Sequence, residues 1–297
     1  MLGRYRSYAD HAALWERLSK ERGVRYYEYG RSVRGRPLVC LGLGPTGVSR
    51  LSIVMAGIHP IEWIGVEVLA TWIERFAESP TLDRRVLVFP IVNVDGFQRV
   101  EEDRRAGRRR FRRGNARGVD LNRNFPTFHA GASLGRALLP WVFRAGASPL
   151  SEPETAALVA RVDDALTRGG TDLRAVSLHS FGGKVLFPYG GVWRRPQDFS
   201  ELRGHAEDLA RRSGYDAVQT SRWVPGFFAP GMEIDHLYDA YGARALLVEC
   251  SKRNVSLRRP STWVSPFDWF NPEDPRPEVE RVVATIDPFL RGAPEAG

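Results

Sequence analysis

Leu51-Ser52-Ile53-Val54-Met55-Ala56-Gly57-Ile58-His59-Pro60-Ile61-Glu62 sets the architecture of this chain. Its first half is a short apolar run that ends at a glycine, the pattern of a buried strand. Downstream, Ile64, Val68, Trp72, Ile73 and Phe76 recur at helical spacing and give a helix one apolar face. A buried strand, a glycine turn and an amphipathic helix make one unit of an α/β fold. The turn also carries chemistry, because an imidazole and a carboxylate stand three residues apart. Glu62 is expected in the first turn of the helix, which would hold it beside His59.

The same alternation continues along the chain. Predicted strands are Leu38 to Leu43, Ser52 to Ala56, Val86 to Val92, Ala175 to Leu178, Val185 to Pro188 and Ala245 to Glu249. Further helices are predicted over Tyr8 to Ser19, Glu152 to Thr167, Phe199 to Ser213 and Pro277 to Leu290. The expected fold is α/β, a mixed twisted central sheet with helices on both faces. No repeat, linker or composition break divides residues 1–297, so one domain is expected. From Gly96 to Pro149 the sequence is rich in Gly, Arg and Pro and weak in periodicity, which marks a functional surface.

Composition excludes several classes of protein. With 43% hydrophobic residues and 11% aromatics, disorder is excluded. No apolar stretch approaches the roughly 20 residues of a membrane span. The start, Met1-Leu2-Gly3-Arg4-Tyr5-Arg6 followed by Asp10, His11 and Glu16, lacks the apolar core of a secretory signal. The chain is therefore read as cytoplasmic and complete. Cys40 and Cys250 stand in apolar, strand-like contexts, where buried free thiols are expected. The net charge of +8 is concentrated in Arg104, Arg105, Arg108, Arg109, Arg110, Arg112 and Arg113. Without a recognition helix, zinc finger or aromatic array, this run is read as a solvated loop and not as a nucleic-acid site.

His59 and Glu62 supply two of the three protein ligands that a catalytic zinc requires, with a fourth position left open. The third candidate is His179, again at the end of an apolar run, Ala175-Val176-Ser177-Leu178. A second dense signal is Gly118-Val119-Asp120-Leu121-Asn122-Arg123-Asn124-Phe125, where Arg123 beside Asn122 suits recognition of a carboxylate. Glu249 closes the apolar run Ala245-Leu246-Leu247-Val248, a position where partial burial makes a carboxylate a usable general base.

This ordered set, together with Asn93-Val94-Asp95-Gly96 and the opening segment Gly30-Arg31-Ser32-Val33-Arg34-Gly35-Arg36-Pro37-Leu38, resembles the zinc metallocarboxypeptidases. The resemblance implies one zinc ion per chain, held by His59, Glu62 and His179, with Asp120 accepting a hydrogen bond from a ring nitrogen of His59. It implies that Glu249 takes a proton from the zinc-activated water and returns it to the leaving amine. Asn122 and Arg123 would clamp a terminal carboxylate, and Arg113, or else Arg112, would steady the oxyanion. Phe227 falls where many relatives carry a tyrosine that closes over substrate, with Tyr238 as a possible substitute. Ile234 and Glu233 fall near the base of the side-chain pocket, the first favouring apolar or aromatic residues and the second Lys or Arg. A departure from the family is that the sequence leaves no room for its N-terminal activation segment, so no proteolytic activation is expected. The expected substrate is a peptide or N-acyl amino acid with a free carboxylate. The rival readings are a muropeptide amidase or a deacylase on the same zinc site, and an idle binding protein.

Overall fold

Eight strands form one sheet in the computed structural model, which describes residues 4–21, 23–78, 84–131, 133–166, 172–224, 226–252, 254 and 261–292. In chain order they are β1 (Arg25–Arg31), β2 (Pro37–Leu43), β3 (Arg50–Ala56), β4 (Arg85–Phe89), β5 (Asp172–Ser180), β6 (Lys184–Phe187), β7 (Asp216–Gln219) and β8 (Arg244–Cys250). The spatial order is β1-β2-β4-β3-β5-β8-β6-β7. The four central strands, β4, β3, β5 and β8, run parallel, whereas β1, β2 and β6 pair antiparallel to their inner neighbours. Every residue of β4, and every residue of β3 after Arg50, is buried, so helices and loops cover both faces of the sheet centre.

Eleven α-helices are assigned among the described residues. They are α1 (Tyr8–Glu21), α2 (Trp63–Glu78), α3 (Val94–Arg105), α4 (Leu134–Leu138), α5 (Pro153–Leu166), α6 (Phe199–Ser213), α7 (Thr220–Trp223), α8 (Glu233–Tyr241), α9 (Ser261–Val264), α10 (Pro266–Phe270) and α11 (Arg276–Arg291). The α2 and α11 pair packs against β3 and β5, while α8 packs against β5 and β8. At Gly65, a Cβ atom would lie 2.9 Å from Leu178 Cβ, so the glycine is what lets α2 close onto β5.

Several elements depart from the sequence reading, each for a physical reason. The edge strands β1 and β7 were not predicted, because one alternates intermediate and exposed positions and neither carries an apolar run. The stretch read as aperiodic from Gly96 begins inside α3. That helix turns Asp95, Glu101 and Asp103 into the protein, so buried acids interrupt its apolar period. The same holds for α8, whose buried face includes Glu233, Asp235 and His236. β4 stops at Phe89 instead of running to Val92, because Pro90 has no N–H to continue a ladder. The predicted end of one helix at Thr167 lies outside the described residues.

The arginine run finds local partners. Asp103 accepts from Arg108 Nε at 2.7 Å and from Arg112 Nε at 2.8 Å, Arg105 pairs with Glu101, and Arg104 lies over the Phe267 ring. Both cysteines are buried and unpaired. No helix among the described residues is long and apolar enough to cross a membrane.

Candidate functional site

Parallel strands deliver side chains to one edge of the sheet, their C-terminal ends, which is where α/β proteins build sites. β3 ends at Ala56, and Gly57 follows with φ of +66°, where a Cβ would press on the Ile91 backbone at 3.2 Å. That turn lifts His59 and Glu62 over the strand ends. The following helix is held by a distant side chain: Asn271 Oδ1 accepts from the N–H groups of Trp63 and Ile64 at 2.8 and 3.0 Å. Its Nδ2 donates to the Ile61 carbonyl at 2.7 Å. Glu62 sits immediately before α2 and not in its first turn, so this remote cap and the Ser180 N–H, 3.1 Å from Glu62 Oε2, fix its direction.

Next along the sheet, His179 of β5 is the register partner of Glu249 on β8. Register partners on neighbouring parallel strands point to the same face, which places the imidazole and the carboxylate side by side. The His59 and His179 Nδ1 atoms are 3.0 Å apart, Glu62 Oε1 is 2.9 Å from the first and Glu62 Oε2 is 3.0 Å from the second. All three side chains are buried, and their donor atoms converge within 4.8 Å. Two imidazole nitrogens and one carboxylate, spaced about 3 Å apart, fit a single zinc ion with bonds of about 2 Å and an open fourth position.

Each histidine is oriented from behind. His59 Nε2 meets Asp120 Oδ1 at 3.1 Å, and His179 Nε2 meets Ser177 Oγ at 3.1 Å and Glu233 Oε1 at 3.0 Å. Asp120 is a hub, since Oδ1 also accepts from the Asn122 N–H at 3.0 Å and Oδ2 accepts from Arg113 Nε at 2.7 Å. Burial alone would raise the Asp120 pKa, but Arg113, His59 and Arg123 outweigh it and hold the carboxyl far below the usual range. Burial likewise opposes the charge on Arg113, yet Asp120, Glu62 and Glu249 keep its pKa above the ordinary arginine value.

Asn124, in the same Gly118 to Phe125 segment, serves as scaffold. Asn124 Nδ2 donates to the Ala145 and Ser148 carbonyls, and its Oδ1 accepts from Thr155 Oγ1 at 2.6 Å. Asn115 Nδ2 reaches Glu152 Oε2 at 2.7 Å. The earlier motifs brace the metal loop: Asn93 Nδ2 donates to the Ile58 carbonyl at 3.2 Å, and Asp95 accepts from Arg34 N–H and Arg36 Nη1.

A cavity of about 270 Å³ opens over this group. His59, Glu62, His179, Glu249, Arg113, Asn122, Arg123 and Phe227 all line it. Phe227 packs against Phe143, and the Phe143 ring lies 5.1 Å from the Arg113 guanidinium and 5.6 Å from that of Arg123. Arg112, the alternative to Arg113, is held away by Asp103. Tyr238, the alternative to Phe227, donates to Asp198 and does not line the cavity.

The expectation for the pocket base needs correction. Neither Ile234 nor Glu233 lines the cavity; both are wholly buried, and Glu233 turns to His179. Met232, just before α8, takes the lining position together with Leu186, Thr220, Ala229 and Leu247. The family register that placed Ile234 and Glu233 at the pocket base does not show that both turn inward at the start of α8, which begins only after Met232. One pocket residue was legible: Leu247 precedes Glu249 by two on β8 and so shares its face.

Burial pushes Glu249 up to about 8, with Glu62 and Glu233 adding to the shift against His179 and Arg113. Its Oε2 is buried without a hydrogen-bond partner. In the unfolded chain a glutamate titrates near about 4.3. Between those values the folded, metal-free protein binds a proton that the unfolded chain releases, so stability falls as pH rises from the unfolded value to the folded one. Glu249→Gln removes that loss. In metal-free protein the variant is expected to melt above the parent at pH 8, with the gap closing towards pH 4. Parallel melting curves across that range would reject the raised value.

Comparison with known proteins accords with this geometry. A family model for zinc carboxypeptidases matches residues 12–244. Mouse mast cell carboxypeptidase A is 30% identical over 240 residues, covering 73% of this chain and 55% of the relative. Mouse carboxypeptidase B2 is 32% identical over 207 residues, covering 62% and 47%. The chain spans about half the length of the curated relatives it matches. Among solved structures, carboxypeptidase A from Helicoverpa armigera aligns with a TM-score of 0.78 at 21% identity, over 97% of this chain and 72% of that one. The murein-tripeptide amidase MpaA from Escherichia coli O157 aligns at 0.60 with 24% identity, over 91% and 93%. The chain belongs to the zinc carboxypeptidase family.

Proposed function

We propose that this protein is a zinc-dependent carboxypeptidase that hydrolyses the amide bond before a C-terminal residue, with Glu249 as general base. The observation that carries this reading is a single cavity lined by the His59, Glu62 and His179 cluster, by Glu249, and by Arg113, Asn122 and Arg123. A zinc ion held by the first three residues would act as a Lewis acid, polarising the scissile carbonyl and acidifying a water molecule.

The chain's own residues supply the rest. Arg123 offers a guanidinium fork to the substrate's terminal carboxylate, and Asn122, whose Oδ1 is engaged by the Glu233 N–H at 3.1 Å, offers its amide nitrogen. Glu249 takes the proton from the attacking water at its unpartnered oxygen and hands it to the leaving amine. Arg113, fixed at Nε by Asp120, has its terminal nitrogens left to stabilise the developing negative charge on the carbonyl oxygen.

With Glu233 withdrawn, the side-chain pocket is mainly apolar, lined by Met232, Leu186, Ala229 and Leu247 beside Thr220, which favours an apolar or aromatic C-terminal residue. The murein-peptide amidase and N-acyl amino-acid deacylase readings use the same residues, and the fold-level likeness to MpaA supports keeping the first as the alternative. The two buried, unpaired thiols support a cytoplasmic place of action. Rates on a panel of peptides, muropeptides and N-acyl amino acids, each with a free or amidated C-terminus, test the reading. Free termini are expected to be cleaved and amidated ones spared, and equal rates would remove the clamp. Arg123→Ala is expected to lower kcat/KM on free termini by about 10- to 100-fold, the value of one charge-assisted contact.

A further inference from the structure

We infer that Glu233 is a positioning residue for the metal centre, a carboxylate that aims His179 and strengthens it as a ligand, and not a determinant of side-chain preference. The inference rests on the family's zinc occupying the His59, Glu62 and His179 cluster, and it assigns Glu233 a place that the family resemblance did not.

The geometry argues for it from three directions. Glu233 Oε1 lies 3.0 Å from His179 Nε2, the nitrogen opposite the one that faces His59 and Glu62. A ring N–H donated to a carboxylate fixes the tautomer, so the lone pair is directed at the metal from Nδ1. The arrangement repeats on His59, where Asp120 takes the far nitrogen at 3.1 Å. Each histidine thus has a buried acid on its far nitrogen, with Ser177 Oγ beside the acid on His179 at 3.1 Å.

The second direction is charge. Glu233 has no solvent exposure, and a carboxyl group buried there needs a hydrogen-bonding or charged partner. Among the described residues His179 is its one side-chain ion-pair partner, and Oε2 accepts no hydrogen bond. The remaining support is the N-terminus of α8, where Glu233 is the first residue and the helix dipole favours negative charge.

The third direction is connectivity. The Glu233 N–H donates to Asn122 Oδ1, so one residue ties the proposed carboxylate clamp to a zinc ligand. Met232, its neighbour, lines the cavity while Glu233 does not. The acidic side chain at this position therefore leaves the pocket apolar.

The test is the zinc affinity of the wild type and of Glu233→Gln and Glu233→Leu, measured by competition with a chromogenic chelator, beside the Phe-to-Lys preference of the zinc-loaded proteins. Glutamine keeps an acceptor for His179 Nε2 and loses the charge; leucine loses both. Zinc Kd is expected to rise by about 10-fold for Glu233→Gln and about 100-fold for Glu233→Leu, the range for loss of such a partner. The preference between Phe and Lys is expected to stay unchanged. Wild-type zinc affinity in Glu233→Gln, or a shift in preference with affinity intact, would overturn the inference. If the leucine variant does not fold, the glutamine variant decides alone. A wild type that does not bind one zinc ion would instead remove the metal site itself.

Discussion

Replacing Glu249 with glutamine is expected to lower turnover by about 10²- to 10⁴-fold while the protein keeps one zinc ion per chain. The substitution preserves shape and removes the group that accepts a proton. Glu249 stands at the end of β8 in register with His179 and lines the cavity, and its Oε2 is buried without a hydrogen-bond partner. Burial and the neighbouring Glu62 raise its proton affinity above that of an ordinary glutamate, which makes it a stronger base once ionised. The same shift sets the pH dependence. With Glu249 as the proposed base, kcat/KM is expected to fall as pH drops through its pKa, and that fall should lie above the ordinary carboxylate range. A bound cation draws the value down from the one set by the protein alone. Turnover retained by Glu249→Gln would assign the proton transfer to another group.

The second large effect is expected at Arg113. Arg113→Ala should reduce kcat by about 10²- to 10³-fold, as for loss of one oxyanion donor, with zinc content unchanged. Combined replacement of Arg104, Arg105, Arg108 and Arg109 should change activity little. The contrast follows from position: Arg113 lines the cavity and is fixed by Asp120, while Arg105 and Arg108 are spent on Glu101 and Asp103. A fully active Arg113→Ala protein would overturn the assignment. A loss of steeply salt-dependent RNA or DNA affinity in the fourfold variant would revive the nucleic-acid reading of this segment.

The parts of the fold that were legible are those where burial leaves a simple trace. β3, β5 and β8 are apolar runs, and the residues with chemical capacity stand where those runs stop, so His59, Glu62, His179 and Glu249 could be read from position and type. Legibility failed where buried positions carry acids. In α3 and α8 the inward face holds Asp95, Glu101, Asp103, Glu233 and Asp235, each needing a partner from elsewhere in the chain or from the backbone, and the helical period is lost. Glu233 was counted as a pocket residue because sequence spacing cannot show that its side chain meets His179, 54 positions away. Asn271 was missed for the same reason, since it caps α2 from more than 200 positions downstream. Local pattern reports burial and periodicity, whereas these two residues act through contacts that only the folded chain creates.

Dependence of hydrolysis on one zinc ion can be measured by titrating zinc into metal-free protein while following cleavage of an N-blocked dipeptide with a free C-terminal phenylalanine. No hydrolysis is expected without metal, then a linear rise and a break at one zinc ion per chain that is absent in a His59→Ala, His179→Ala variant. Hydrolysis by the fully metal-free protein at the rate of the loaded one would contradict it.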